Sequence, residues 1–118
     1  MNSEKEVLDL ISAGEGQTVK FKRDISQRSD TAGELIAFAN TTGGTLLVGV
    51  TDDGQVVGVQ DPDGAMNAIA NISRDNCRPS LYPIIERVDV SGKPVIAEEG
   101  NEFVVRLRAK IPPAQARQ

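Results

Sequence analysis

Residues 34–58 read ELIAFANTTGGTLLVGVTDDGQVVG, and three local patterns follow one another in that stretch. Leu35, Phe38 and Ala39 recur at i, i+3 and i+4, the apolar stripe of a helix with one buried face. Thr31 and Glu34 stand in capping-box spacing, so the helix is expected to open there, and Gly43-Gly44 ends it. Thr45 to Thr51 is a nearly continuous apolar run, as in a strand buried on both faces. Asp52-Asp53-Gly54 favours a tight turn, so Gln55 to Val59 reads as the returning arm of a β-hairpin.

Upstream, Ser3 and Glu6 repeat the capping-box spacing ahead of Val7, Leu8, Leu10 and Ile11, with Gly14 as terminator, which predicts a short amphipathic helix. Gln17 to Lys22 alternates: Val19 and Phe21 fall on one side and Thr18, Lys20 and Lys22 on the other, a half-buried strand. Arg23 to Asp30 is polar and aperiodic and reads as a loop. Downstream, Asp61-Pro62 suits the first turn of a helix anchored by Met66, Ile69 and Ile72 and broken near Arg78-Pro79. Strands are expected at Tyr82 to Val90 and Glu102 to Lys110, joined by a long loop from Ser91 to Asn101 that contains Pro94 and Gly100.

The expected order is therefore α, β, α, β, β, α, β, β. It defines an α+β chain: a single two-layer domain, a mixed β-sheet with about three helices, spanning residues 1–111 before a flexible C-terminal tail at 112–118. A chain of 118 residues has length for one such core. Three Phe, one Tyr and no Trp leave few rings for stacking bases. The net charge of -4 supplies no global pull on nucleic acid, so binding must rest on clustered Lys and Arg. The absence of histidine excludes Ser-His-Asp and Cys-His catalysis and the commonest zinc sites, and no phosphate-cradling loop motif occurs. Cys77 is the lone cysteine and reads as a small buried hydrophobe. No apolar run approaches the roughly 20 residues needed to cross a bilayer, and a cytoplasmic location is expected.

The phrase AFANTTGGTLLVGVTDDGQVVGV resembles the signature of the Schlafen-type Alba-like (AlbA-like) domain, of the form AFANT-x-GG-x-L-x-x-GV-x-D-x-G-x-x-x-G. Gly14 to Lys22 is similar to that family's opening, and residues 71–79 also fit. The resemblance implies a DNA- or RNA-binding module, often part of a transcriptional regulator. Some relatives are metal-dependent ribonucleases with three acids, which by motif position fall on Glu15, Lys20 and Asp52. A lysine at a ligand position removes an oxygen donor and repels Mg²⁺ or Mn²⁺. Asp24 and Glu34 are the acids available as substitutes.

Lys20 and Lys22 share a strand face and Arg23 follows, while the final strand carries Arg106 and Arg108, with Lys110 beyond. If those strands are neighbours, the five residues Lys20, Lys22, Arg23, Arg106 and Arg108 form a basic stripe for phosphate contacts; if not, they are a solvated face. Arg74 and Arg78 near the end of the third helix are weaker candidates. Three readings stay open: a nucleic-acid-binding domain of low sequence specificity that needs no cofactor; a nuclease using Glu15 and Asp52 with Mg or Mn; and a self-association module, a homodimer through exposed strand edges.

Overall fold

The computed structural model describes residues 3–78 and 80–100. They form α1 (Glu4–Ala13), β1 (Val19–Lys22), α2 (Arg28–Ala39), β2 (Gly44–Val48), α3 (Pro62–Asp75), β3 (Ile84–Val90) and β4 (Lys93–Gly100). The sheet order is β1-β2-β4-β3. β1 and β2 are parallel, joined by α2 as a crossover, and the other two pairings are antiparallel. The mixed sheet with three helices is thus the architecture present. Its two principal layers are the sheet and the α2–α3 pair, and α1 adds partial cover on the opposite face.

Strand alternation divides the core in two. Leu46, Val48 and Ile96 point to α2 and α3, where they meet Leu35, Phe38, Ile69 and Ile72. Phe21, Leu47, Val88, Val95 and Ala97 point the other way and pack with Val7 of α1. The continuous apolar run at Leu46-Leu47-Val48 follows from this, since all three side chains are fully buried on alternating sides. α1 is held by the capping box of Ser3 and Glu6 read from the sequence, and its Glu4 carboxylate accepts from the Ser91 amide at 3.0 Å. α3 starts at Pro62, with the Asp61 carboxylate accepting from the Gly64 amide at 3.1 Å.

Three expectations are corrected. α2 opens at Arg28, inside the segment read as a loop, and no side chain caps it; Thr31 instead donates its hydroxyl to the Gln27 carbonyl at 3.2 Å. The hairpin after β2 has no second strand, only an isolated bridge between Val50 and Val56. Its chain turns back early because Val57 and Gly58 both donate to the Gly49 carbonyl, at 2.8 and 2.9 Å, and Val59 donates to Pro94. Residues 93–100, read as a loop, are β4, which like β2 is an inner strand with a neighbour on each side.

The hairpin β3–β4 turns on Ser91 and Gly92, at φ 51 and 80. Positive φ at both central residues is what a two-residue turn demands of strands with right-handed twist. Pro94 is compatible with β4 because β2 ends at Val48, opposite Ile96, so at Pro94 only β3 forms a ladder. The expected strand at Glu102 to Lys110 and the tail at 112–118 lie outside the described residues.

Candidate functional site

β1 places its two lysines on the helix-covered side of the sheet. Lys20 is in register with Leu46, and Lys22 with Val48, both of which face α2 and α3. The expected solvated face is therefore an interior margin. Lys22 is only 15% exposed in its side chain, and its ammonium lies 3.4 Å from Glu34 of α2. Lys20 is half-buried and lines a cavity of about 280 Å³ with Gln17, Glu34, Ala37, Phe38 and Thr41. Arg23, one residue past the strand, is exposed and borders the turn residues Thr51, Asp52 and Asp53. Arg106 and Arg108 lie outside the described residues, as does their register with β1.

Glu15 closes the outer edge of β1. Thr18 and Lys22 give their carbonyls to β2, through Thr45 and Gly49, so the Phe21 amide and Val19 carbonyl point outward. Glu15 Oε2 accepts from the Phe21 amide at 2.9 Å, and the Gly16 amide donates to the Val19 carbonyl at 3.0 Å. An edge strand's free polar groups are thereby satisfied by the segment that precedes it. Asp52 sits in the turn after β2, which is held by its neighbours: Thr51 donates to Asp53, and the Gln55 amide donates to Thr51 at 3.0 Å.

Glu15, Lys20 and Asp52 do not fit a divalent metal. One carboxylate is engaged by a backbone amide, one position is an ammonium, and Asp52 shares its pocket with the cationic Arg23. The substitute acids are engaged too, Glu34 beside Lys22 and Asp24 with Ser26. The Ser26 amide and hydroxyl hold the Asp24 carboxyl below its usual range. Among the described residues no three His, Cys, Asp or Glu side chains converge.

A second basic cluster forms where α3 ends beside the start of α2. Arg28 donates to Asn76 at 2.8 Å; Arg74 pairs with Asp75 at 3.0 Å and donates to Asn71 at 2.8 Å; Arg78 donates to the Asp75 carbonyl at 3.3 Å. All three arginines are exposed. Arg74 and Arg78 are legible in the sequence as candidates, whereas Arg28 is hidden there by the polar, aperiodic stretch 23–30 that reads as a loop. The signal was available: Arg28 lies three residues before Thr31, on the same face of a helix that begins one turn sooner.

A parallel βαβ start, a hairpin finish and glycines locking the loop after β2 define an α+β domain that carries basic side chains at β1 and at the end of α3. The chain belongs to the Schlafen, AlbA_2 family, whose model matches residues 15–118. Among solved structures it is similar to the N-terminal domain of a RecG-related protein from Nitrosomonas europaea, named for an ATP-dependent DNA helicase. The two are 26% identical, with a TM-score of 0.70, over 100% of this chain and 88% of that one. A protein from Corynebacterium diphtheriae shares the fold, with a TM-score of 0.57 and 20% identity, over 84% of this chain and 26% of that one. No curated protein matches. Among the described residues no helix is long and apolar enough to cross a membrane.

Proposed function

We propose that this domain binds nucleic acid, DNA or RNA, chiefly through phosphate contacts and with low sequence specificity, as one module of a transcriptional regulator. The observation that carries the reading is the likeness along the whole chain to the RecG-related domain, a protein named for work on DNA. Family membership supports it. In this reading the β1 side contributes Lys20 and Arg23, with Arg106 and Arg108 from the C-terminal segment, and Lys22 contributes by exchanging Glu34 for a phosphate. Phosphate contacts carry no base information, which agrees with the scarcity of aromatic side chains.

Holding nucleic acid is favoured over cutting it because Lys20 stands where the resemblance places an acid and Glu15 is engaged at the strand edge. Titration of labelled duplex DNA and structured RNA at two salt concentrations tests the reading. Binding at low salt that weakens steeply as salt rises is expected. Absence of binding at low salt, or affinity indifferent to salt, overturns it.

A further inference from the structure

The end of α3 gathers features that helix stability does not account for together. Arg74 and Arg78 favour the negative end of the α3 dipole. Arg28 has no such justification, since it occupies the first turn of α2, where the positive helix end disfavours a cation. Its guanidinium reaches across to Asn76, the residue that caps α3, and so joins the other two. Asp75 is the carboxylate between them: its hydrogen bond from Arg74, then the charges of Arg74, Arg28 and Arg78, hold it below the usual carboxylate range. Three guanidiniums around one carboxylate make this face cationic, on a chain whose net charge is -4.

An aromatic ring is anchored beside them. The Leu81 amide donates to the Ser73 carbonyl at 2.8 Å, and the Ser80 hydroxyl donates to the Arg74 carbonyl at 2.6 Å. The chain is thereby tied back onto the last turn of α3, and Tyr82 emerges next to Arg74 with 56% of its surface exposed. Exposed arginines with hydrogen-bonding capacity left over, alternating with asparagines and a ring, suit a phosphate backbone and an unpaired base.

We propose that this face, where α3 ends beside the start of α2, is a contact for single-stranded nucleic acid, with Arg28, Arg74 and Arg78 on phosphates and the Tyr82 ring against a base. The single strand is favoured over a duplex because a ring stacks only on a base that is not enclosed in a helix. This rests on the nucleic-acid reading above and moves its principal contact from β1 to the face where α3 ends.

Fluorescence anisotropy with the full chain tests it, using labelled oligo-dT and oligo-U of about 20 nucleotides and a duplex of equal length. Replacing Arg74 and Arg78 together by Ala is expected to weaken single-strand binding about tenfold or more and to flatten the log–log salt slope by about 1.4. Tyr82→Leu should weaken it about tenfold while Tyr82→Phe binds as wild type. Asp75→Asn, which removes the opposing carboxylate, should tighten binding a few-fold, a gain that misfolding cannot imitate. Comparable affinity for oligo-dT and oligo-U means that the backbone is read; a preference for one names the natural strand. Wild-type binding that none of these changes alters, but that Arg23→Ala abolishes, overturns this inference and leaves the broader reading standing. No wild-type binding at low salt overturns both, and tighter binding of the duplex overturns the choice of single strand.

Discussion

Around Gly49 and Gly58 two stretches of backbone touch; around Arg28, Arg74 and Arg78 three long side chains spread over open surface. A Cβ on Gly49 would meet the Gly58 backbone at 3.2 Å and the Pro94 carbonyl at 3.3 Å, and one on Gly58 would meet Lys93 Cβ at 3.1 Å. Both glycines have positive φ, 105 and 76. At the arginines nothing is tight, and each is held by hydrogen bonds to residues 71–77. The signature phrase therefore records where main chains must approach, and it says little about which surface meets a ligand. The residues proposed to meet nucleic acid are thus not those that fix the fold, and substitutions should separate the two sets.

The largest effect is expected at the packing of α2 on β2. The Phe38 ring is 2% exposed and lies directly over Gly44, where any Cβ would fall within 3.0 Å of it. Phe38→Ala should cost about 3–5 kcal/mol in urea denaturation. Gly44→Ala should cost about 1–3 kcal/mol by forcing the ring aside. A Gly44→Ala protein as stable as wild type would show that the double glycine serves only to end the helix. Next, Gly49→Ala and Gly58→Ala should each cost about 1–3 kcal/mol, because an L side chain is strained at those φ values and meets backbone or Lys93 besides. Neither should change the salt slope of nucleic-acid binding, which reports phosphate contacts alone.

How far each region could be read in advance follows the same division. The helix–GG–strand core was legible because its periodicity and its glycines answer to local physics, and the capping box at Ser3 and the proline start at Pro62 were legible for the same reason. Strand β4 was not. Pro94 and the Ser91-Gly92 pair look like loop residues unless it is known that β2 stops short of Pro94, which is a fact about another part of the chain. The start of α2 was misplaced because Thr31 and Glu34 have capping spacing but spend their side chains elsewhere, on Gln27 and Lys22. The candidate lysines were read as solvent-facing because alternation reveals which residues share a side, and only the crossover helix decides whether that side is covered.

Glu15 and Asp52 sharpen the comparison at smaller magnitude, since the family resemblance pairs them while the structure engages Glu15 on the Phe21 amide and sets Asp52 in the turn beside Arg23. Glu15→Ala leaves the outward Phe21 amide without its acceptor and should cost about 0.5–1.5 kcal/mol. Asp52→Ala, at an exposed turn position held by its neighbours, should stay within about 0.5 kcal/mol of wild type. If the two acids acted together on a metal, Mn²⁺ would raise the melting temperature of wild type and of neither variant. The geometry gives the opposite expectation, a Glu15 effect that is present without metal and unaltered by adding it.

The smallest expected effect comes from Cys77, which packs at 0% exposure in the core under α2 and α3, its thiol 3.9 Å from the Ala32 carbonyl of α2. Burial pushes its pKa up from 9.0, and the charge of Glu98 adds to the shift. A thiol that ionises more readily unfolded than folded contributes stability that is complete below the unfolded value and is lost as pH rises from there through the folded one. Stability of wild type should therefore begin to decline above about pH 9. Cys77→Ala should remove that part of the decline while lowering stability at neutral pH by the lost packing, and a thiol reagent at pH 8 should react with native protein only as fast as the chain opens. Rapid labelling of the native state would mean that the seam between α2 and the end of α3 opens easily, and the arginine face would then be a mobile surface and not a preformed one.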